Sequence, residues 1–110
     1  MATPELQQGS LELLILTTLH AGELHGWAIS RRIQQLSRDV LRVGQGSLYP
    51  ALYRLDERGL IRASWGISDE GRRAKFYQLS AAGRRALARE ADAWRAYSGA
   101  VNLVLEGAGL

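Results

Sequence analysis

A chain of 110 residues with 46% apolar and 23% charged residues has the make-up of one soluble globular domain, with room for a single core. It has no cysteine, which excludes disulfides, thiolate metal sites and cysteine nucleophiles. The net charge is only +3, but residues 28–89 hold thirteen of the fourteen Lys and Arg residues against five acids, and both flanking segments are acidic, so the middle of the chain suits a polyanionic partner.

The first residues contain Glu5 and no Lys or Arg, so a secretory n-region is missing. The apolar run over 11–19 is too short to cross a membrane and is interrupted by Glu12, Thr17 and Thr18. The expected location is the cytoplasm, with no membrane partner. Within that run Ser10 is positioned to cap a first helix, whose apolar face is Leu11, Leu14, Ile15, Leu16 and Leu19, ending near Ala21-Gly22. A second helix is predicted over 25–36, with Ala28, Ile29, Ile33 and Leu36 inward and Arg31, Arg32, Gln34 and Gln35 outward. Gly26 near its start fits close packing or a tight entry turn better than helix interior.

The segment Gly44-Gln45-Gly46-Ser47-Leu48-Tyr49-Pro50-Ala51-Leu52-Tyr53-Arg54-Leu55 reads as a third helix. Ser47 is its expected N-cap, Pro50 falls in the first turn, and Gly59 stops it. Leu48, Leu52 and Leu55 form a buried stripe at i, i+4 and i+7. The other face carries Tyr49, Tyr53 and Arg54, with Gln45 and Ser47 at the leading end. Such a face suits reading a DNA groove, with Gln45, Tyr53 and Arg54 near base edges and Ser47 and Tyr49 nearer phosphate.

From Leu60 the period changes to two: Ile61, Ala63, Trp65 and Ile67 alternate with Arg62, Ser64 and Gly66, a half-buried strand. Ser68-Asp69-Glu70-Gly71 is turn chemistry, and residues 73–79 return as a second strand. The hairpin tip is basic, with Arg72, Arg73 and Lys75 placed to grip DNA backbone or minor groove. Ser80 then caps a last helix in which Leu87, Ala91, Trp94, Ser98, Val101 and Leu105 make a seam of heptad type, the expected dimer interface. Trp94 beside small Ala91 and Ser98 leaves room for a planar aromatic effector between two copies. The fold expected is mainly α with a small β-hairpin: a winged helix-turn-helix of three helices and a two-stranded wing over residues 1–80, then a long dimerisation helix over 81–110.

Catalysis has no foothold. The serines lack a nucleophile elbow, Gly44-Gln45-Gly46 lacks the further glycine and Lys of a phosphate loop, and His20 and His25 have no partners for a metal. No enzyme and no cofactor are expected. Two readings without DNA stay open on the residues alone: a winged-helix protein-interaction module, and a small-molecule-binding protein.

Several short motifs in register carry a resemblance. They are His25-Gly26-Trp27, Gly46-Ser47-Leu48-Tyr49-Pro50-Ala51-Leu52, Gly59-Leu60-Ile61, Trp65, Arg73-Ala74-Lys75-Phe76-Tyr77, Ser80-Ala81-Ala82-Gly83 and Trp94. Over about residues 9–95 the chain resembles PadR-type transcriptional regulators, with Trp27 and Phe76 standing where tyrosine is common and Ser80 where threonine is. The resemblance implies a dimeric bacterial winged-helix repressor on a palindromic operator, of the compact form whose single C-terminal helix packs into the partner subunit. It also implies a response to small aromatic or cationic compounds.

Overall fold

The computed structural model describes residues 8–110, and the first residues of the expected 1–80 domain lie outside it. Among the described residues four helices and three strands follow in the order α1 (Gln8–Thr18), β1 (Leu24–His25), α2 (Gly26–Leu36), α3 (Gln45–Glu57), β2 (Ile61–Ile67), β3 (Arg73–Leu79) and α4 (Ala81–Gly107). The winged-helix architecture expected from the sequence is therefore present, with one strand more than expected.

Helix α1 begins at Gln8, so Ser10 lies inside it and is not its cap. Its wide apolar face buries Leu11, Ile15 and Leu16, with Leu19 following just beyond the last turn. Helix α2 is capped by His25, whose Nδ1 accepts from the Ala28 N–H at 3.3 Å. Ile29 and Ile33 are buried as expected, but Leu36 is 57% exposed and does not join the core. Gly26 occupies the first turn of α2 because a Cβ there would lie 2.8 Å from Tyr49 Oη. That close approach, and no left-handed dihedral, is what requires glycine.

Helix α3 starts three residues earlier than its serine suggested. Gly44 is the N-cap in extended conformation (φ −78°, ψ 158°), with no side-chain cap bond, so Ser47 sits within the first turn. Pro50 is consequently past that turn and has no N–H to offer the carbonyl four residues back, at Gly46. Leu48, Ala51, Leu52 and Leu55 are buried, and the helix closes at Arg58 with Gly59 at φ 71°.

The sheet is three-stranded and antiparallel, ordered β1-β3-β2. Strand β1 pairs Leu24 with Tyr77 and His25 with Phe76, tying the entry of α2 to the wing. Ile61, Leu79 and Tyr77 anchor the base of the wing in the core. Towards the tip the hairpin outruns the core, so Trp65 and Ile67, expected on the inward side, are 62% and 67% exposed.

Ser80 caps α4 as expected, its Oγ accepting from the Gly83 N–H at 3.0 Å and donating to the Gly59 carbonyl at 2.6 Å. Any side chain at Gly83 would collide with the Leu60 carbonyl, so the first turn of α4 is pressed against the exit of α3. Ala86 is buried in the same core. Farther along α4 is mostly exposed, giving the molecule a long axis of 53 Å against 32 and 22 Å.

Candidate nucleic-acid interface

At about 100° per residue, the α3 stripe of Leu48, Leu52 and Leu55 leaves Gly46, Pro50 and Tyr53 diametrically outward. All three are exposed, Tyr53 at 65%. Gln45 and Tyr49 fall on one flank and Ser47, Arg54 and Arg58 on the other. Gln45 and Ser47 are exposed at the leading end, where sequence reasoning set them.

The Tyr49 flank faces the wing. A cleft of about 630 Å³ lies between them, lined by Tyr49, Gly26, Trp27, Trp65, Tyr77 and the wing bases Arg72, Arg73 and Lys75. Its edges are built from aromatic rings with cations stacked on them. The Arg73 guanidinium lies 4.6 Å from the centroid of the Trp65 ring, and Arg31 lies 4.6 Å from that of Trp27. Trp27 in turn stacks parallel to His25, whose edge meets Phe76 at 5.6 Å. A guanidinium over a ring face is attracted to it, and both arginines remain exposed to solvent. The turn that presents the wing is closed by the Ser68 N–H donating to the Arg72 carbonyl at 2.7 Å. At the floor of the cleft, burial pushes the Tyr77 phenol above its ordinary 10.0, with Tyr49 and Asp56 adding to the shift. The phenol is therefore neutral at neutral pH.

The other flank is arranged differently. Arg54, expected to face the groove, donates from Nε to Glu12 Oε1 of α1 at 3.2 Å. Arg58 bonds to the other oxygen of the same carboxylate at 3.1 Å. The sequence therefore brought Tyr49, Arg72, Arg73 and Lys75 to one cleft and Tyr53 to the outward face, while Arg54 is held against α1. Glu12, Arg31 and Arg58 were not assigned to the site, nor were the rings of Trp27 and Trp65. An acid within the apolar stretch 11–16 was the signal for Glu12.

Along α4 the expected seam is graded. Leu87, Ala91 and Ser98 are part-buried, whereas Trp94, Val101 and Leu105 are 50%, 39% and 43% exposed. Tyr97, Leu103 and Val104 are more exposed still. An open apolar groove of about 250 Å³ runs between Tyr97, Ala100, Val101, Val104 and Leu105. A second, of about 360 Å³, lies between α1 and α4, with Ser10, Glu12, Leu13, Glu90, Trp94 and Tyr97 in its wall. No helix among the described residues is long and apolar enough to cross a membrane.

Comparison with known proteins adds the family context. The family described as "Transcriptional regulator PadR-like family" matches residues 15–89. The chain is 40% identical over 96 residues to an uncharacterized 37.1 kDa protein in transposon Tn4556 of Streptomyces fradiae, covering 87% of this chain but only 26% of that relative's length. It is 39% identical over 83 residues to transcriptional regulator Rv3488 of Mycobacterium tuberculosis, covering 76% of this chain and 74% of the relative. Among solved structures, a PadR-like transcriptional regulator from Bacillus cereus superposes with a TM-score of 0.77 at 28% identity, over 89% of this chain and 93% of that one. Bacillus subtilis PadR, solved in complex with operator DNA, superposes with a TM-score of 0.64 at 26% identity, over 72% of this chain and 44% of that one.

Proposed function

The chain belongs to the transcriptional regulator PadR-like family, and on that premise we propose that it binds double-stranded operator DNA as a homodimer and represses transcription. The family is one of regulators and not of enzymes, in line with the lack of catalytic motifs in the sequence.

One observation carries the DNA-binding reading: Tyr49 of α3 and the wing cations Arg72, Arg73 and Lys75 border one cleft, while Tyr53 is exposed on the outward face of the same helix. A helix entering the major groove would present Gln45, Tyr49 and Tyr53 to base edges and the near phosphates, with Ser47 on its opposite flank. Arg72, Arg73 and Lys75 would then reach flanking backbone or minor groove. Bacillus subtilis PadR, a neighbour in fold, was solved in complex with operator DNA, which supports DNA as the partner. A repressor at work on chromosomal DNA belongs in the cytoplasm.

The dimer reading rests on α4. Trp94, Tyr97, Val101, Val104 and Leu105 form an apolar strip that nothing among the described residues of the protomer covers. A second copy related by a two-fold axis covers such a strip with itself, which also matches a palindromic operator. The strip continues into the cavity bounded by Trp94 and Tyr97, whose ring centroids lie 6.5 Å apart, and this is the place for a small aromatic effector. The reading is tested by recovering bound fragments from genomic DNA and measuring their affinity against random-sequence duplex. Recovery of one palindromic sequence bound by two protomers is the expected result; fragments no better than random duplex would refute the operator reading.

A further inference from the structure

Helix α3 and its cap carry two cations, Arg54 and Arg58, and one carboxylate of α1 takes both of them. The Glu12 side chain is only 12% exposed, whereas those of Arg54 and Arg58 are 34% and 52% exposed. The acid is built into the α1–α3 contact, and the arginines lie over it with solvent on their far side. A helix in the major groove, which is about 12 Å wide, has a phosphate chain along each flank. Arg54 shares its flank with Ser47, two helical turns before it, so that side chain would lie beside one of those chains.

Resting on the DNA-binding reading above, we propose that Glu12 is a specificity-determining residue, which withholds Arg54 and Arg58 from the phosphate backbone. An arginine on phosphate strengthens binding to every sequence alike. Each cation removed from the backbone therefore lowers random binding and leaves base and shape contacts to decide where the protein sits. Glu12 uses one oxygen on each arginine, so a single charge restrains two. A plain strut between α1 and α3 would behave in the opposite way, because its loss would weaken binding to all DNA.

The test compares full-length wild type, Glu12→Gln and Arg54→Gln/Arg58→Gln on random-sequence duplex and on a fragment selected from genomic DNA. Glutamine keeps the shape but releases the charge. In Glu12→Gln, affinity for random duplex is expected to rise about tenfold, and the log–log salt slope to steepen by about 1 to 2 per protomer, at about 0.9 per phosphate neutralised. The ratio of selected to random affinity falls accordingly. The double variant is expected to change the wild-type slope by less than about 1 per protomer, since withheld arginines contribute little to it. If folded Glu12→Gln binds random duplex as wild type does or more weakly, the proposal is overturned. A double variant that loses about 2 in slope per protomer also overturns it, and decides alone should Glu12→Gln fail to fold. Wild type that binds no duplex at all refutes the DNA-binding reading itself, an outcome distinct from either.

Discussion

Tyr49 Oη stands 2.8 Å from the place a Cβ on Gly26 would occupy, so the first turn of α2 and the wing-side flank of α3 meet in this way only while residue 26 has no side chain. The ring wedged by this contact is also a wall of the cleft beneath the wing. Packing and the proposed DNA surface thus share one side chain.

Gly26→Ala is expected to push Tyr49 outward, because the tyrosine is 45% exposed and its far end can yield where backbone cannot. Stability should fall by only about 1 kcal/mol, at the low end for overpacking, whereas DNA affinity falls by more. Urea denaturation and fluorescence anisotropy on the same preparation separate the two. A large loss of stability with unchanged affinity would mean that Tyr49 does not serve the interface.

Tyr53 and Arg54 are neighbours in sequence with different expected effects. Tyr53→Ala removes an outward ring and should cost about 1–3 kcal/mol on a selected operator, with much less change on random duplex. Arg54→Ala leaves Glu12 to Arg58 alone and should lower folding stability by about 1 kcal/mol, with sequence preference at any single base pair retained. Competition binding with single-base operator variants checks both. Relaxed preference at one position in Arg54→Ala would restore the base-reading role first expected of it.

Val101→Asp with Leu105→Asp sets two charges in the exposed apolar strip of α4. Monomeric or insoluble protein is expected, since burying unpaired carboxylates across a two-fold contact costs several kcal/mol. Light scattering at micromolar concentration reads the result. A stable dimer in this variant would place the subunit contact elsewhere.

The Tyr77 phenol is held above 10.0 chiefly by burial, so the folded chain resists an ionisation that the unfolded chain undergoes at about that value. Its contribution to stability is whole below pH 10.0 and is lost as pH rises beyond it, at no more than about 1.4 kcal/mol per pH unit. Tyr77→Phe should flatten that alkaline decline. Thermal melts of both proteins from neutral pH upward give the comparison.

Features set by neighbours along the chain were legible before the structure. The stripe of Leu48, Leu52 and Leu55, the Ser80 cap and the basic hairpin each follow from local spacing. The start of α3 was misread because its cap lies in the backbone of Gly44, and glycine has no side chain to announce it. Strand β1 spans two residues, too few to show a period. Trp65 and Ile67 alternate as buried residues do, but the hairpin carries them past the core. The Arg54–Glu12 contact joins residues 42 positions apart, and periodicity contains no information about such a pair.

The central claim is that this chain grips DNA through the cleft between α3 and the wing. The measurement that tests it most directly is the salt dependence of duplex binding over about 50 to 200 mM, for wild type and for Arg73→Ala with Lys75→Ala. A dimer that neutralises about six to eight phosphates gives a log–log slope near −5 to −7, and loss of the wing charges should flatten it by about 2 to 4. Preference for a selected operator over random duplex should survive that loss, because backbone contacts carry no base information. A wild-type slope near zero, or a variant indistinguishable from wild type in slope, would contradict the account.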